Sequence, residues 1–425
     1  MNEGLIHSFS GVLKSFNSGE AYKRKPPQGP PGNWPSISDA ELLALNQTDS
    51  GEDKNNEKPY KVLDLLIEDD YMPRKVNFPS VNLLADLNIY GIDGSNQKIE
   101  KSAFYLILAR AAIINFRYSK DGSKPYFTHK LKDATGLMLV DQNVFDFDKV
   151  NVHSTVIELG ENPEAKRIGR YLVKDLKDPL AFKYDITKTD KSPSSQALGI
   201  AVKLMQTLEL ISLSEIQLEN KAICIKDGPL FSPSVSEKDT IEYLGKIHQW
   251  SDQILVSCSK RIRDSRLLIQ ALKEKPNLRE KWFPKDLITE KTLNQIPSDS
   301  IVLPRLLKPG ERTPLFKAIP IARQPVVAEG TGDPKLTPLT CYYLSRTKPH
   351  TYLRLEIPML FYERDTRKVE EAISVVAWQH ELGRIAPLVQ VVADERCQLT
   401  SEKVILQRKT EAALKEFGLE FLQDY

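Results

Sequence analysis

The chain has 425 residues, with 59 Lys plus Arg against 57 Asp plus Glu and a net charge of +2, so no global basic field announces a nucleic-acid partner and any phosphate contact must come from a local cluster. Its length allows one large domain with an extra segment, or two domains, with ample core in either case. Cys224, Cys258, Cys341 and Cys397 stand without CxxC pairs or nearby His, which argues against a zinc site and a disulfide framework and for a reducing compartment.

Residues 1–10 lack the basic and apolar segments of a secretory signal. The longest apolar run, 104–116, is interrupted by Arg110 and is too short to span a bilayer, so no membrane is expected and the cytoplasm is the expected location. Residues 5–16 have the pattern of a short amphipathic helix able to dock on a partner, a frayed terminus being the alternative. Residues 23–59 combine a Lys-Arg-Lys run, a Pro-rich stretch and a polar tract that together cannot bury enough apolar surface to fold alone. They read as a flexible Pro-rich linker inside an N-terminal extension, 1–80, ahead of a folded domain, 81–425.

From about residue 82 strand and helix signals alternate, which predicts an α/β domain. Residues 87–92 read as a strand ending at Asp93-Gly94-Ser95, and 103–115 as its following strand or hairpin partner. Residues 194–213 read as a helix behind Pro193, with Ala197, Ala201, Leu204, Leu208 and Ile211 at helical spacing. A short apolar strand, 222–225, runs into Asp227-Gly228-Pro229-Leu230. Helix is then expected at 235–249, strand at 254–258 and a basic helix at 260–274. Residues 297–340, rich in Pro, read as loops with short strands, followed by a strand at 352–361 and helices at 367–382 and 400–417. No repeat is evident, which excludes a solenoid.

Two segments share one design: an apolar strand delivers Asp93 or Asp227 at its end, and Gly follows where the chain would turn. Carboxylates at strand ends project into the crevice where α/β proteins bind ligands. Two on neighbouring strands can share Mg²⁺ or Mn²⁺, and such an ion suits phosphodiester hydrolysis because it activates water and neutralises the leaving oxygen. Glu209, beside the apolar face of its helix and one turn from Met205, is the natural third ligand; a solvated helix glutamate is the competing reading. Lys260 follows a strand and is placed to hold or stabilise the reacting phosphate, and Arg261, Arg263 and Arg266 extend it into a basic run suited to a DNA backbone. The alternative for this run is a solvated helix start. His380 is expected to be exposed on its helix, and Arg354 with Glu356 to form a structural ion pair on one strand face.

The order Asp-Gly-Ser, a helical Glu, Asp-Gly-Pro-Leu and a strand ending in Ser259-Lys260-Arg261 resembles the NurA family of archaeal and bacterial nucleases. Arg354-Leu355-Glu356-Ile357-Pro358 is similar to that family's Arg-x-Glu-x-Pro strand, and Pro387-Leu388 with Ala393-Asp394 continues the likeness, which spans roughly 85–405. The resemblance implies a ribonuclease H-like mixed sheet flanked by helices and a Mn²⁺-dependent (or Mg²⁺-dependent) nuclease holding two ions and acting on DNA ends and single strands. It also implies a homodimer partnered with a HerA-type hexameric DNA-translocating ATPase, in end resection, repair or anti-phage defence. By position Asp93, Glu209 and Asp227 would be metal ligands, and Asp394 would stand where many members close the site with His or Asp. The family's Gly-Tyr-Pro before that ligand reads Gly383-Arg384-Ile385-Ala386-Pro387 here, without Tyr and at a stretched spacing. The alternative function is a catalytically weak ribonuclease H-like subunit that mainly binds and regulates such an ATPase. A guide-dependent PIWI-like nuclease would share the carboxylates but need a further domain for which there is too little chain.

Overall fold

The computed structural model describes residues 60–64, 72–85, 87–101, 104–118, 125–127, 133–142, 150–159, 193–215, 221–231, 244–260, 262, 265–283, 290–320, 334–348, 350–383 and 385–416. The chain before residue 60, including the stretch 5–16 and the Pro-rich linker, lies outside them.

A mixed sheet forms the centre of the molecule. At its heart β3 (Asn88–Lys101) pairs antiparallel with β4 (Phe104–Tyr118), and β4 with β6 (Asp133–Gln142). On the other side of β3 lie β8 (Ala222–Asp227) and then β9 (Gln253–Ser259), both parallel to it. The resulting order, β6-β4-β3-β8-β9 with β4 alone reversed, is the ribonuclease H-like arrangement. Beyond β9 the sheet continues through β13 (Tyr352–Pro358), β12 (Pro338–Leu344) and β11 (Phe316–Pro320) to β1 (Tyr60–Asp64), and beyond β6 to β7 (Val150–Leu159). Three short strands, β2 (Arg74–Lys75), β5 (Pro125–Phe127) and β10 (Glu311–Arg312), pair at its margins. The central strands β8, β9, β12 and β13 are buried almost throughout, as strands covered on both faces must be.

Helices cover the two faces. Helix α1 (Val81–Ala85) precedes β3, and α2 (Pro193–Glu215) lies on β3, β4 and β6 with Ala197, Ala201, Leu204, Leu208 and Ile211 buried, the periodicity read from the sequence. By length and composition its window Ala197–Ser214 could cross a membrane, but this stripe is spent on the sheet. The small helices α3 (Leu267–Glu274), α4 (Pro276–Trp282), α5 (Glu290–Gln295) and α6 (Asp299–Leu306) build a second apolar cluster with Tyr342, Leu344 and Tyr352. Helices α7 (Met359–Arg364) and α8 (Thr366–Leu382) follow β13, and α8 is capped by the Asp365 carboxylate, which accepts from the Arg367 and Lys368 amides. Helix α9 (Leu388–Cys397) packs on β3, β4 and β8, and α10 (Thr400–Glu416) ends the described chain.

Several expectations are corrected. Asp93 is not at a strand end: β3 runs eight residues further, so Gly94 is an extended residue and makes no turn. The basic helix starts at Leu267 rather than 260, leaving Lys260 on the bend that closes β9. Residues 297–340 do contain the short strands β10 and β11, but also α6, whose first residue Asp299 is fully buried and accepts from the Ile269 amide, Ser265 Oγ and the Tyr342 hydroxyl. The strand expected to reach 361 stops at Pro358, where α7 begins. His380 is not exposed: it is fully buried beside Tyr343, and burial followed by the nearby Lys348 charge lowers its pKa to about 4.

Candidate metal centre

Parallel pairing of β3 with β8 decides where the carboxylates go. Ile92 aligns with Lys226, so the next residues, Asp93 and Asp227, stand side by side on neighbouring strands. Strand alternation then separates two faces. Gly91 and Asp93 face α9, because a Cβ on Gly91 would lie 2.7 Å from the Val389 carbonyl oxygen. Gly94 faces α2, because a Cβ there would lie 2.5 Å from Glu209 Oε1 and 2.7 Å from Met205 Cγ. The Asp-Gly pair in β3 therefore serves close approach, not turning: glycine on one side of the aspartate admits the helix backbone, and glycine on the other admits a glutamate carboxylate. In the second Asp-Gly pair the turn is real. Gly228 has φ +75 and donates its amide to the Cys258 carbonyl at 3.0 Å.

Lys260 Nζ sits between the two aspartates, 3.6 Å from Asp93 Oδ2 and 3.4 Å from Asp227 Oδ1. These two oxygens are buried and accept no hydrogen bond from the described residues. Burial, and next the Asp227 charge, pushes the Asp93 carboxyl well above the usual range, with Lys260 opposing. Burial draws the Lys260 pKa down, but Asp227, Asp93 and Asp394 outweigh it, and the ammonium is held charged. Two carboxylates this close, compensated here by a single ammonium, have the chemistry of a divalent-cation site.

Glu209 is not a solvated helix residue. Its side chain is 4% exposed and its Oε2 lies 3.1 Å from Nζ of Lys226, itself 2% exposed. Burial raises the Glu209 pKa and Lys226 opposes that shift. Lys226 also donates to the Asp227 carbonyl at 2.7 Å and to the Pro229 carbonyl at 3.5 Å, so one ammonium ties Glu209 to the loop that carries Asp227. No local pattern singles out Lys226; beside Asp-Gly a lysine reads as an exposed turn residue.

Asp394, exposed on α9, comes to the aspartate face: a carboxylate oxygen of Asp93, one of Asp394 and Cys397 Sγ lie within 4.8 Å of one another. Cys397 is a further residue that sequence reading missed, because Asp-x-x-Cys on a helix matches no familiar ligand spacing. Arg266 turns to the Leu293 carbonyl at 3.4 Å, and Arg261 and Arg263 lie outside the described residues. The expected ion pair of Arg354 and Glu356 is present, buried, at 3.0 Å. Glu356 also accepts the Leu230 amide at 2.7 Å, while Arg354 reaches Ser265 and Ser259. The pair thus clamps the Asp-Gly-Pro-Leu loop from β13.

The NurA domain profile matches residues 87–402, most of the chain and all of the site. The chain belongs to the NurA family. Among solved structures, the NurA nuclease from Sulfolobus solfataricus is 13% identical, with 90% of this chain and 93% of that chain covered and a TM-score of 0.35. A second NurA structure is 9% identical over 89% and 96% of the two chains, at a TM-score of 0.36. A NurA crystallised with manganese is 10% identical over 79% and 91%, at a TM-score of 0.19. Likenesses this distant carry no argument of their own, and membership rests on the domain match. No curated protein matches the chain.

Proposed function

We propose that this NurA-family protein is a metal-dependent deoxyribonuclease that hydrolyses phosphodiester bonds at DNA ends and in single strands. The observation that carries the reading is the pair of buried Asp93 and partly buried Asp227, side by side on neighbouring strands, with one ammonium, Lys260, shared between them. Asp93, Asp227, Glu209 and Asp394 would hold manganese or magnesium, as two ions, which when bound supply an activated water and neutralise the leaving oxygen. Lys260, one-fifth exposed, is the group able to leave the aspartates and contact the scissile phosphate. Lys226 and Glu356 are positioning residues that hold Glu209 and the Asp227 loop. Arg261, Arg263 and Arg266 are proposed to track the DNA backbone.

The family resemblance supports a cytoplasmic homodimer that works with a HerA-type hexameric ATPase in end resection, repair or phage defence; residues 1–20, a short apolar piece in the sequence, are the proposed docking element. A second reading, a catalytically weak subunit that chiefly regulates that ATPase, draws on one observation: Glu209 already spends an oxygen on Lys226. Cleavage of a labelled DNA duplex and single strand under titration with Mn²⁺ and Mg²⁺, with and without the ATPase, separates the two. Cleavage by the isolated protein that is supported at least as well by Mn²⁺ favours the nuclease, and none at any metal concentration favours the regulator.

A further inference from the structure

We propose that Asp93, Asp394 and Cys397 form a thiophilic metal site, one that takes zinc, cadmium or cobalt and, by claiming Asp93, switches off the hard-ion chemistry of the neighbouring carboxylates. The inhibitory consequence rests on the nuclease reading above; the binding itself does not.

Asp394 and Cys397 are three residues apart on α9 and so share one face of the helix. They meet Asp93 because Gly91, two residues earlier on the same side of β3, has no side chain to keep the α9 backbone away. The three donor atoms lie within 4.8 Å of one another, a spread that side-chain rotation closes around an ion with bonds to oxygen and sulfur of about 2.0–2.3 Å. Two of the donors are buried. Cys397 Sγ has a weak contact with the Asp394 carbonyl at 3.3 Å, and Asp93 Oδ2 accepts no hydrogen bond among the described residues and faces the Lys260 ammonium at 3.6 Å, which an arriving cation would displace. Asp394 is exposed, which gives an ion a way in and leaves solvent to complete the coordination.

The donor set decides the metal. A thiolate with two carboxylates favours borderline-soft ions, whereas Mg²⁺ and Mn²⁺ are satisfied by oxygen alone. Zinc also stands above manganese in intrinsic affinity for nitrogen, oxygen and sulfur ligands. Binding forms a metal–sulfur bond, sends the thiol proton to solvent and involves no change of oxidation state. The active ion and the thiophilic ion then compete for Asp93. Cys224, Cys258 and Cys341 are buried in the core, and among the described residues none of them belongs to a comparable group, so they serve as internal controls.

The test titrates Cd²⁺ into the full chain without DNA and follows the ultraviolet sulfur-to-cadmium charge-transfer band. The parent should saturate at one equivalent, Cys397→Ser should lose the band, and Asp394→Asn, altered at an exposed position and verified as folded by circular dichroism, should keep the band but need more cadmium. Zinc added to manganese-supported cleavage, measured against each protein's own manganese rate, should inhibit the parent and spare Cys397→Ser. A band that survives in Cys397→Ser, or a parent that binds cadmium calorimetrically without any band, overturns the proposal. If the parent shows the band yet never cleaves DNA with manganese, the thiophilic site stands and the nuclease reading falls.

Discussion

Replacing Lys226 with Met keeps the length of the side chain and removes its charge, which isolates what the ammonium does. In the parent it sits 3.1 Å from Glu209 Oε2, with both side chains nearly inaccessible, and it also serves the Asp227 and Pro229 carbonyls. Breaking a buried pair from one side leaves an uncompensated charge in a medium of low dielectric, a loss of about 3–5 kcal/mol, far above the 0–1 kcal/mol of an exposed pair. Lys226→Met should therefore lower the urea unfolding free energy by about that amount, and Glu209→Gln should do likewise by stranding the ammonium. The double variant removes both charges and should return to within about 1 kcal/mol of the parent, a coupling that neither single change reveals. If Glu209 is a metal ligand, Mn²⁺ should stabilise Lys226→Met more than the parent, because a divalent ion supplies the missing compensation. DNA cleavage should be lost in the double variant even though its stability returns. A Lys226→Met protein within 1 kcal/mol of the parent, or a double variant no better than the worse single one, would refute this account of the pair.

Three further outcomes follow from single contacts. Gly94→Ala puts a methyl 2.5 Å from Glu209 Oε1 and 2.7 Å from Met205 Cγ, so melting should show a loss of about 1–3 kcal/mol together with reduced cleavage; a parental melting curve and rate would sink it. Glu356→Ala frees the Leu230 amide and leaves Arg354 buried without its carboxylate, so calorimetry on the folded variant should register weaker Mn²⁺ binding, and unchanged affinity would show that the clamp does not position the Asp227 loop. His380, lowered from 6.5 to about 4, stays neutral when folded while the unfolded chain takes up a proton. Stability is therefore full above about pH 6.5 and falls by about 3 kcal/mol as pH drops to 4, a slope that His380→Phe should flatten and that an unaltered acid midpoint would disprove.

Local patterns made much of this molecule legible. The stripe from Ala197 to Ile211 marked α2, and the apolar run before Asp227-Gly228 marked β8, because each buries one periodic surface. Asp93 was identifiable as a residue but not in its setting, since an Asp-Gly dipeptide signals a turn and only the long pairing with β4 shows that the strand continues. Lys226 and Cys397 were invisible for the same reason. Lys226 matters through a helix nearly twenty positions earlier in the chain, and Cys397 through a strand about three hundred positions away, so neither has a neighbour in sequence that betrays its role. Helix α9 escaped notice because its run Leu388 to Ala393 is apolar almost without interruption and shows no helical period. His380 was misjudged because its buried face is supplied by Tyr343 of β12, which no pattern within α8 discloses.

The central claim is that the aspartate pair of β3 and β8 holds the metal that cleaves DNA. The most direct test compares manganese-dependent cleavage of end-labelled DNA by the parent and by Asp227→Asn, with folding of both verified by circular dichroism and manganese binding measured alongside. The account predicts that cleavage falls by orders of magnitude and manganese binding weakens while the fold persists. A folded Asp227→Asn protein that cleaves at the parental rate would contradict it.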